Sequence, residues 1–386
     1  MVTIRLLFMT KGFPRIPRSQ HILARVKNVL PLCAAGFVTA FGAHGVASGL
    51  GFLQTNLLAL GLLLAIYDGA EIVLKPVFGS LADRIGPRPV LLGGLMAFAV
   101  ASAAFVLVDS VAVARFGQGV AAAAFSPAAS AMVARLTPPD AKGKAFGRYG
   151  AWKGIGYTAG PLLGGVLIYF GGFDLLFLTM AALAAAVAVW VLTVPHLEPL
   201  PRRRQTVADL AKRLSHSDFL RPTAALAAST AALATGVGFL PVKAAQHGSI
   251  VTGAAVSLLA ITAALVQPRV GAALDAGRLS TRLGTRAGVL TAAAGFVAAA
   301  AIPGLAGTLV AAVLIGAGSG AVTPLAFAAL ANATPEERLG QTMGSAEVGR
   351  EFGDAGGPLL VGGLASVASL PVGLLGLAAV IALTAW

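Results

Sequence analysis

Long apolar runs alternate with short polar connections along the whole chain. Each run is about 18 to 25 residues long, and at 1.5 Å per residue this is enough to cross a hydrocarbon core roughly 30 Å thick. Twelve runs can be marked, at residues 29–50, 57–78, 90–108, 111–134, 147–169, 173–194, 222–241, 249–268, 287–305, 307–331, 343–365 and 369–386. The pattern predicts an all-α membrane protein with twelve transmembrane helices.

The composition supports a membrane protein independently. Hydrophobic residues make up 57% of the chain, the mean hydropathy is +0.85 and only 11% of residues are charged, against about 25% in soluble domains. The formal net charge of +13 does not indicate a nucleic-acid partner, because the basic residues lie between the apolar runs. Cys33 is the one cysteine, so we expect neither disulfides nor a metal site, and no cofactor.

The basic residues predict the orientation. Of the 28 Lys and Arg residues, 24 fall on connections that share one side of the membrane, and cytoplasmic loops carry such an excess. We therefore expect a multi-pass cell-membrane protein with both termini in the cytoplasm. Residues 1–28 would be a basic tail, 29–194 an N-terminal six-helix bundle, 195–221 a cytoplasmic linker with three consecutive arginines, and 222–386 a C-terminal six-helix bundle.

An internal repeat relates the two halves. Residues 74–83 match residues 266–275, an offset of 192, and Phe146-Gly147 matches Met343-Gly344 at an offset of 197. Six helices separate the copies, so both halves run in the same direction through the membrane. We therefore expect the two halves to form two pseudo-symmetric six-helix bundles.

A charged stretch between the second and third runs carries the sequence G-x-x-x-D-R-x-G, at Gly79, Asp83, Arg84, Gly86, with Arg88 following. It resembles the signature that transporters of the major facilitator superfamily carry between helices two and three, although Pro87 replaces the first of the two usual basic residues. The resemblance implies a gate at the membrane surface, built on a charged turn that latches neighbouring helix ends. A turn that only sets orientation would need positive charge but not Asp83.

The fifth run contains G-x-x-x-G-P-x-x-G-G, at Gly156, Gly160, Pro161, Gly164 and Gly165. This sequence resembles the helix-five signature of the exporter branch of the same superfamily and implies drug or metabolite efflux. Small residues four apart make a smooth packing face and the proline permits a kink, so we expect a hinge rather than a chemical site. Generic glycine packing is the alternative. Residues 51–60 lack the proline that exporters often carry there.

Arg115 begins R-x-x-Q-G, which resembles the helix-four signature of proton-coupled members. An arginine at membrane depth needs a carboxylate or water and can tune the proton affinity of a neighbouring acid. The alternative is that its side chain snorkels to the nearby interface at residues 109–110.

Acidic residues inside the runs are the candidate proton carriers, because a charge in the bilayer must face a cavity or a partner. Asp68, Glu71 and Lys75 share one face of the second run. Glu71 and Lys75 are spaced to neutralise each other, which leaves Asp68 as the odd carboxylate. We expect Asp68 or Glu71 to carry the proton. A second cluster lies on the eleventh run, at Glu347, Arg350, Glu351 and Asp354.

The predicted substrate cavity combines these acids with rings from three helices: His44, Tyr67, Asp68, Glu71, Trp152, Tyr157, Glu351 and Asp354. Ordinary packing is the alternative for the rings, and a core histidine is the alternative for His44.

The sequence holds no nucleotide-binding or hydrolase motif, which argues against an enzyme. We therefore expect a monomeric secondary transporter that exports a small amphiphilic drug or metabolite in exchange for protons. A proton-coupled uptake symporter of the same fold and a membrane sensor without transport stay open as alternatives.

Overall fold

The computed structural model describes residues 18–46, 57–108, 110–201, 207–244 and 249–385, and no strand occurs among them. The transmembrane helices, in chain order, are α1 (Arg18–Gly45), α2 (Leu57–Ile85), α3 (Pro87–Ala103), α4 (Val111–Leu136), α5 (142–170), α6 (173–191), α7 (Ser217–Ala244), α8 (Ser249–Asp275), α9 (Thr281–Ala301), α10 (Gly304–Ala333), α11 (Leu339–Val367) and α12 (Leu370–Leu383). A turn of helix, Phe105–Val108, follows α3, and a short helix, Val207–Leu214, lies between the halves.

Two glycines separate α5 from α6 within the continuous stretch Lys142–Val191. Gly171 has φ −154° and ψ 23°, and Gly172 has φ 65° and ψ −165°, so neither is helical. The positive φ of Gly172 is a conformation that favours glycine, because a Cβ would crowd the residue's own backbone there. The chain therefore turns where the two predicted runs meet.

Seven stretches of described residues are helical, long and apolar enough to cross a membrane, and one of them, Pro139–Val191, holds both α5 and α6. α1 and α12 contribute shorter apolar helices, Val29–Gly45 and Leu370–Leu383. α11, which is outside this set, carries several charged residues in mid-helix, and so does α2. The predicted all-α membrane fold is confirmed.

The prediction of a turn at residues 79–88 is wrong. α2 continues to Ile85, and only Gly86, with φ 95°, interrupts the chain before Pro87 begins α3. Hydropathy identifies only the residues that lie within the hydrocarbon core. Backbone hydrogen bonds continue the helix beyond the core, so its end is not visible in the hydropathy. For the same reason residues 18–28, expected to be part of a tail, begin α1. Residues 1–17 lie outside the described part of the chain.

The helices form two six-helix bundles, α1–α6 and α7–α12, with matching internal packing. α1 packs on α5 and α4 on α2 and α3 in the first bundle, as α7 packs on α11 and α10 on α8 and α9 in the second. The bundles meet along two seams, α2 against α11 and α5 against α8. These seams carry the candidate site.

Both seams are closed at one side of the membrane, which we call the basic side. It is defined by the described connecting residues 86, 137–141, 192–201, 215–216, 276–280 and 334–338. A Cβ added at Gly79 would overlap the carbonyl oxygen of Gly340, and one at Gly271 would overlap that of Gly143. Glycine at these positions lets the two backbones touch.

Candidate functional site

The carboxylate of Asp83 bridges the two bundles at the basic side. Its Oδ1 accepts a hydrogen bond from the backbone N–H of Gly340 at 2.6 Å, and its Oδ2 accepts one from Gln341 at 2.9 Å. These N–H groups lie in the first turn of α11. A helix N-terminus has unpaired donors and a partial positive charge, so it binds a buried carboxylate well.

The other residues of this motif surround that contact. Gly79 lies one helical turn before Asp83 and meets Gly340, while Gly86 starts the connection to α3. Arg84 is exposed, and Arg88 donates to the carbonyl of Leu192. The carboxylate therefore binds a helix end of the opposite half, and the two arginines lie outside that contact.

Asp275 makes the same contact on the second seam. Its Oδ1 accepts from the backbone N–H of Gly143 at 2.8 Å, and its Oδ2 accepts from Lys144 at 2.7 Å. Asp275 is the repeat partner of Asp83 at the offset of 192. The two carboxylates thus form a pseudo-symmetric pair of latches, each between the end of one helix and the start of another, across the seams.

Lys75 is the centre of an ion network deeper in the α2–α11 seam. Its Nζ lies 2.7 Å from Glu71 Oε2, 2.5 Å from Glu351 Oε1 and 3.8 Å from Glu347 Oε2. The side chain is 1% exposed. Glu71 belongs to the same helix, whereas Glu347 and Glu351 belong to the other bundle, so the lysine joins the two halves.

A second lysine extends the network. Lys153 Nζ, on α5, lies 3.0 Å from Glu347 Oε2 and 3.2 Å from Ser126 Oγ. Arg350 Nη1 lies 3.3 Å from Glu347 Oε1. With Lys75, Glu71 and Glu351, the network contains three cations and three carboxylates, and the charge is balanced where water is excluded.

Two further carboxylates lie beside the network. Asp68 on α2 and Asp354 on α11 are half-buried, and they are close enough to interact electrostatically across the seam. Neither forms an ion pair or a hydrogen bond with any residue the structure describes. These are the carboxylates available to a proton or a cationic group.

Arg115 is buried at 1% exposure, so it does not snorkel to the interface. Its Nη1 donates to the carbonyl of Gly42 at 3.0 Å, and its guanidinium lies 4.1 Å from the ring centroid of Tyr67. Tyr67 directly precedes Asp68 in the chain. The arginine therefore lies next to the acids of α2 and contributes positive charge there.

The predicted cavity rings divide into two groups. His44 and Tyr157 contact each other edge to face, with centroids 4.4 Å apart, and His44 Nδ1 has no partner among the described residues. Trp152 packs against the hydrophobic core, and Tyr67 is covered by Arg115. Among these rings, His44 Nδ1 and the Tyr67 hydroxyl are the buried polar atoms without a partner among the described residues.

The helix-five signature is a packing face against α1. A Cβ at Gly156 would lie 2.6 Å from the carbonyl oxygen of Phe37, and one at Gly164 would overlap that of Gly45. Gly160 also faces Gly45, whereas Gly165 is half-buried, and Pro161 lies inside the helix. The face brings α5 and α1 into backbone contact.

Three residues that the structure brings into the site were not among the predicted site residues, although Glu347 belonged to the predicted cluster on the eleventh run. Lys153, Glu347 and Asp275 all bond across the seams. The offset of 192 was the signal for Asp275, because it aligns this residue with Asp83. For Lys153 the signal was its buried charge in a chain with few charged residues, which requires a counter-charge.

Comparison with known families agrees with this architecture. The family description "Major Facilitator Superfamily" matches residues 32–276 and 273–386. Among solved structures, the human organic anion transporter MFSD10 (TETRAN) is 18% identical, with a TM-score of 0.75 over 96% of this chain and 99% of that one. The Escherichia coli fucose:proton symporter FucP is 15% identical, with a TM-score of 0.76 over 94% and 98%. At these identities the likeness concerns the fold.

Curated relatives match over a shorter region. A class C tetracycline resistance protein from Escherichia coli is 35% identical over 109 residues, covering 28% of this chain and 28% of its own. The tetracenomycin C resistance and export protein of Streptomyces glaucescens is 36% identical over 130 residues, covering 32% and 24%. The MFS-type transporter ppzB of Metarhizium rileyi is 36% identical over 125 residues, covering 32% and 26%. The match thus spans about a quarter of each relative.

The family match covers nearly the whole chain, and the chain belongs to the Major Facilitator Superfamily of membrane transporters.

Proposed function

We propose that this chain exports a small amphiphilic drug or metabolite from the cytoplasm in exchange for protons, by alternating access. Two relatives named for drug resistance and the exporter-like face of α5 support export. The excess of Lys and Arg at the basic side supports a cytoplasmic position for that side and for both termini. A closed basic side then corresponds to a carrier that is closed toward the cytoplasm.

The observation that carries this proposal is the buried ion network across the seam. Lys75 and Lys153 from one bundle hold Glu351 and Glu347 from the other. An inward-facing state must separate these pairs, and separating buried charges is costly unless a proton or substrate compensates. A transporter coupled to protons has such a compensating ligand available.

Asp68 and Glu71 are the proposed proton carriers, with Arg115 beside them. Glu71 shares Lys75 with Glu351, and its Oε1 has no partner among the described residues. A proton on Glu71 would leave Lys75 to Glu351 alone, whereas a proton on Asp68 would remove an unpaired charge. Either event changes the charge balance of the seam and so biases the equilibrium between the two states.

The test is transport in inverted membrane vesicles with an acid interior and a panel of amphiphilic compounds. We expect the parent protein to accumulate substrate in the vesicles while protons leave. Asp68→Asn and Glu71→Gln should lose this accumulation but keep downhill exchange of substrate. Asp174→Asn is the matched control, because Asp174 is an exposed acid in the first turn of α6, and it should behave as the parent.

The outcome separates the alternatives. Accumulation only in right-side-out vesicles with an acid exterior would indicate an uptake symporter, and binding without any pH-dependent flux would indicate a sensor. If both carboxylate variants still concentrate substrate, the proton site is elsewhere, and Glu351 and Asp354 become the next candidates.

The gate role of Asp83 rests on its position at the closed basic side. On the same helix, Lys75 and its ion network lie two turns deeper in the seam. Opening toward the cytoplasm must break its two hydrogen bonds to α11, together with those of Asp275 to α5. We propose that these latches set the rate of opening and leave substrate affinity unchanged.

A further inference from the structure

A cavity of about 480 Å³ opens at the basic side of the second bundle, away from both seams. It lies among the first turns of α7 and α9 and the last turns of α10 and α12. Its polar lining consists mainly of Arg221, Arg282, Arg286, Asp218, Asn332 and Thr384. Three arginines against one carboxylate make the cavity cationic.

Arg282 and Arg286 are one helical turn apart on α9, and both are exposed. Neither forms an ion pair or a hydrogen bond with any residue in the described part of the chain. Two like charges at this spacing repel each other. The N-terminus of α9, capped by the Ser280 hydroxyl, which accepts from the Leu283 N–H at 3.3 Å, adds further positive potential. An anion in the cavity would offset the positive charges of Arg282 and Arg286 and the positive potential of the helix N-terminus.

The corresponding arginine of the first bundle shows what a guanidinium at this position binds. Arg88 is the second residue of α3, as Arg282 is of α9. Arg88 donates to the carbonyl oxygen of Leu192, and Arg135, in the last turn of α4, donates to that of Glu198 at 2.9 Å. The pseudo-symmetric position in the first bundle is therefore an oxygen-binding site, and Arg282 presents the same donor to the cavity.

An apolar stripe on α9 leads from the cavity into the membrane. Leu283, Leu290 and Val297, seven residues apart, are 65%, 50% and 45% exposed. Residues at this spacing share one helix face. Since Leu283 adjoins Arg282, a molecule with an anionic head and apolar chains can contact the arginines and the stripe at once.

We propose that this cavity binds the phosphate ester of an anionic phospholipid. The phosphate oxygens lie between Arg282 and Arg286 near the start of α9, and the acyl chains follow the stripe. Guanidinium groups bind phosphate oxygens through paired hydrogen bonds, and basic pockets between transmembrane helices on the cytoplasmic side suit lipid headgroups. Free phosphate shares the headgroup chemistry but not the chains, so the two sources can be distinguished.

The experiment uses the full-length protein purified in a neutral detergent. Thermal stability is measured during titration with phosphatidylglycerol, with phosphatidylcholine and, separately, with inorganic phosphate. We expect saturable stabilisation by phosphatidylglycerol alone. Arg282→Gln/Arg286→Gln should raise the apparent Kd for phosphatidylglycerol by about tenfold to thirtyfold, because each basic residue at an anionic membrane surface contributes about fivefold.

The matched control is Lys212→Gln/Arg269→Gln, which removes the same charge from the basic side outside the cavity and should change the Kd less than about twofold. Thr285→Glu, which places a carboxylate in the lining, is a second variant that should also weaken binding should the paired change destabilise the protein. Equal stabilisation by inorganic phosphate would overturn the lipid assignment. Equal Kd values for the two paired variants would overturn the site.

Discussion

At the scale of single residues, Lys75 shows how the two halves depend on each other. Its spacing from Glu71 predicted a local pair, and that pair is present at 2.7 Å. Its contact with Glu351, 276 residues away in the chain, could not be predicted, because helical periodicity reports neighbours on one helix only. What the sequence did indicate was that a buried cation and several buried acids need partners.

Removal of the Lys75 charge is the first residue-scale prediction. Lys75→Gln leaves the carboxylates of Glu71 and Glu351 buried without their shared cation, and breaking a buried pair in this way costs about 3–5 kcal/mol. We expect a clear loss of thermal stability in detergent. Lys212→Gln, on an exposed side chain, should have a negligible effect.

A second change separates lost attraction from unpaired charge. Lys75→Gln/Glu351→Gln removes one charge of each sign, so its loss of stability should be smaller than that of Lys75→Gln alone. If the loss of stability in the double variant equals the sum of the losses in Lys75→Gln and Glu351→Gln measured singly, Lys75 and Glu351 do not interact as the structure shows.

At the scale of helices, the ends carry the gate. Hydropathy located the apolar middle of α2 but not its last two turns, since those turns contain Asp83 and Arg84 and lie beyond the hydrocarbon core. The signature around Gly79 was found in the sequence, yet its partner, the start of α11, was not. Nothing in a local motif specifies which helix terminus from the other half will supply the backbone N–H groups.

The glycine contact at the gate gives the prediction for this scale. Gly79→Ala adds a methyl group where the Gly340 carbonyl oxygen lies, so the α2–α11 seam must open at the basic side. We expect a shift toward the inward-facing state, seen as a longer distance between spin labels on the two halves at that side.

Gly69→Ala is the control on the same helix, because a Cβ there meets nothing within 4 Å. Both changes raise helix propensity equally. An unchanged label distance in Gly79→Ala would show that the seam absorbs the methyl group and that the glycine contact does not hold the gate closed.

At the scale of the whole molecule, duplication and hydrophobic length predicted twelve helices in two parallel bundles, and the fold agrees. The conformational state could not be predicted, since one sequence serves both the inward-facing and the outward-facing form. The closed basic side is seen in the structure, in the contact of Gly271 with Gly143 and in the hydrogen bonds of Asp83 and Asp275. The offset of 192 predicted that Gly271 corresponds to Gly79, but not which residues these two glycines contact.

The topology supplies the prediction at this scale. Cysteines introduced at Asp174 and Ala276, both exposed and on opposite sides of the membrane, should react with a membrane-impermeant maleimide in different preparations. We expect Asp174→Cys to be labelled in intact cells and Ala276→Cys only in inverted vesicles. Labelling of both in intact cells would contradict the arrangement, and the native Cys33 is buried.

The distance along the chain between Lys75 and Glu351 also bears on how the protein is made. At about 5–20 residues per second, roughly 14 to 55 s pass between the synthesis of Lys75 and that of its partner 276 residues later. During this interval Glu71 is the carboxylate within reach on the same helix. The local pair that looks redundant in the finished transporter is thus the counter-charge with which α2 enters the membrane.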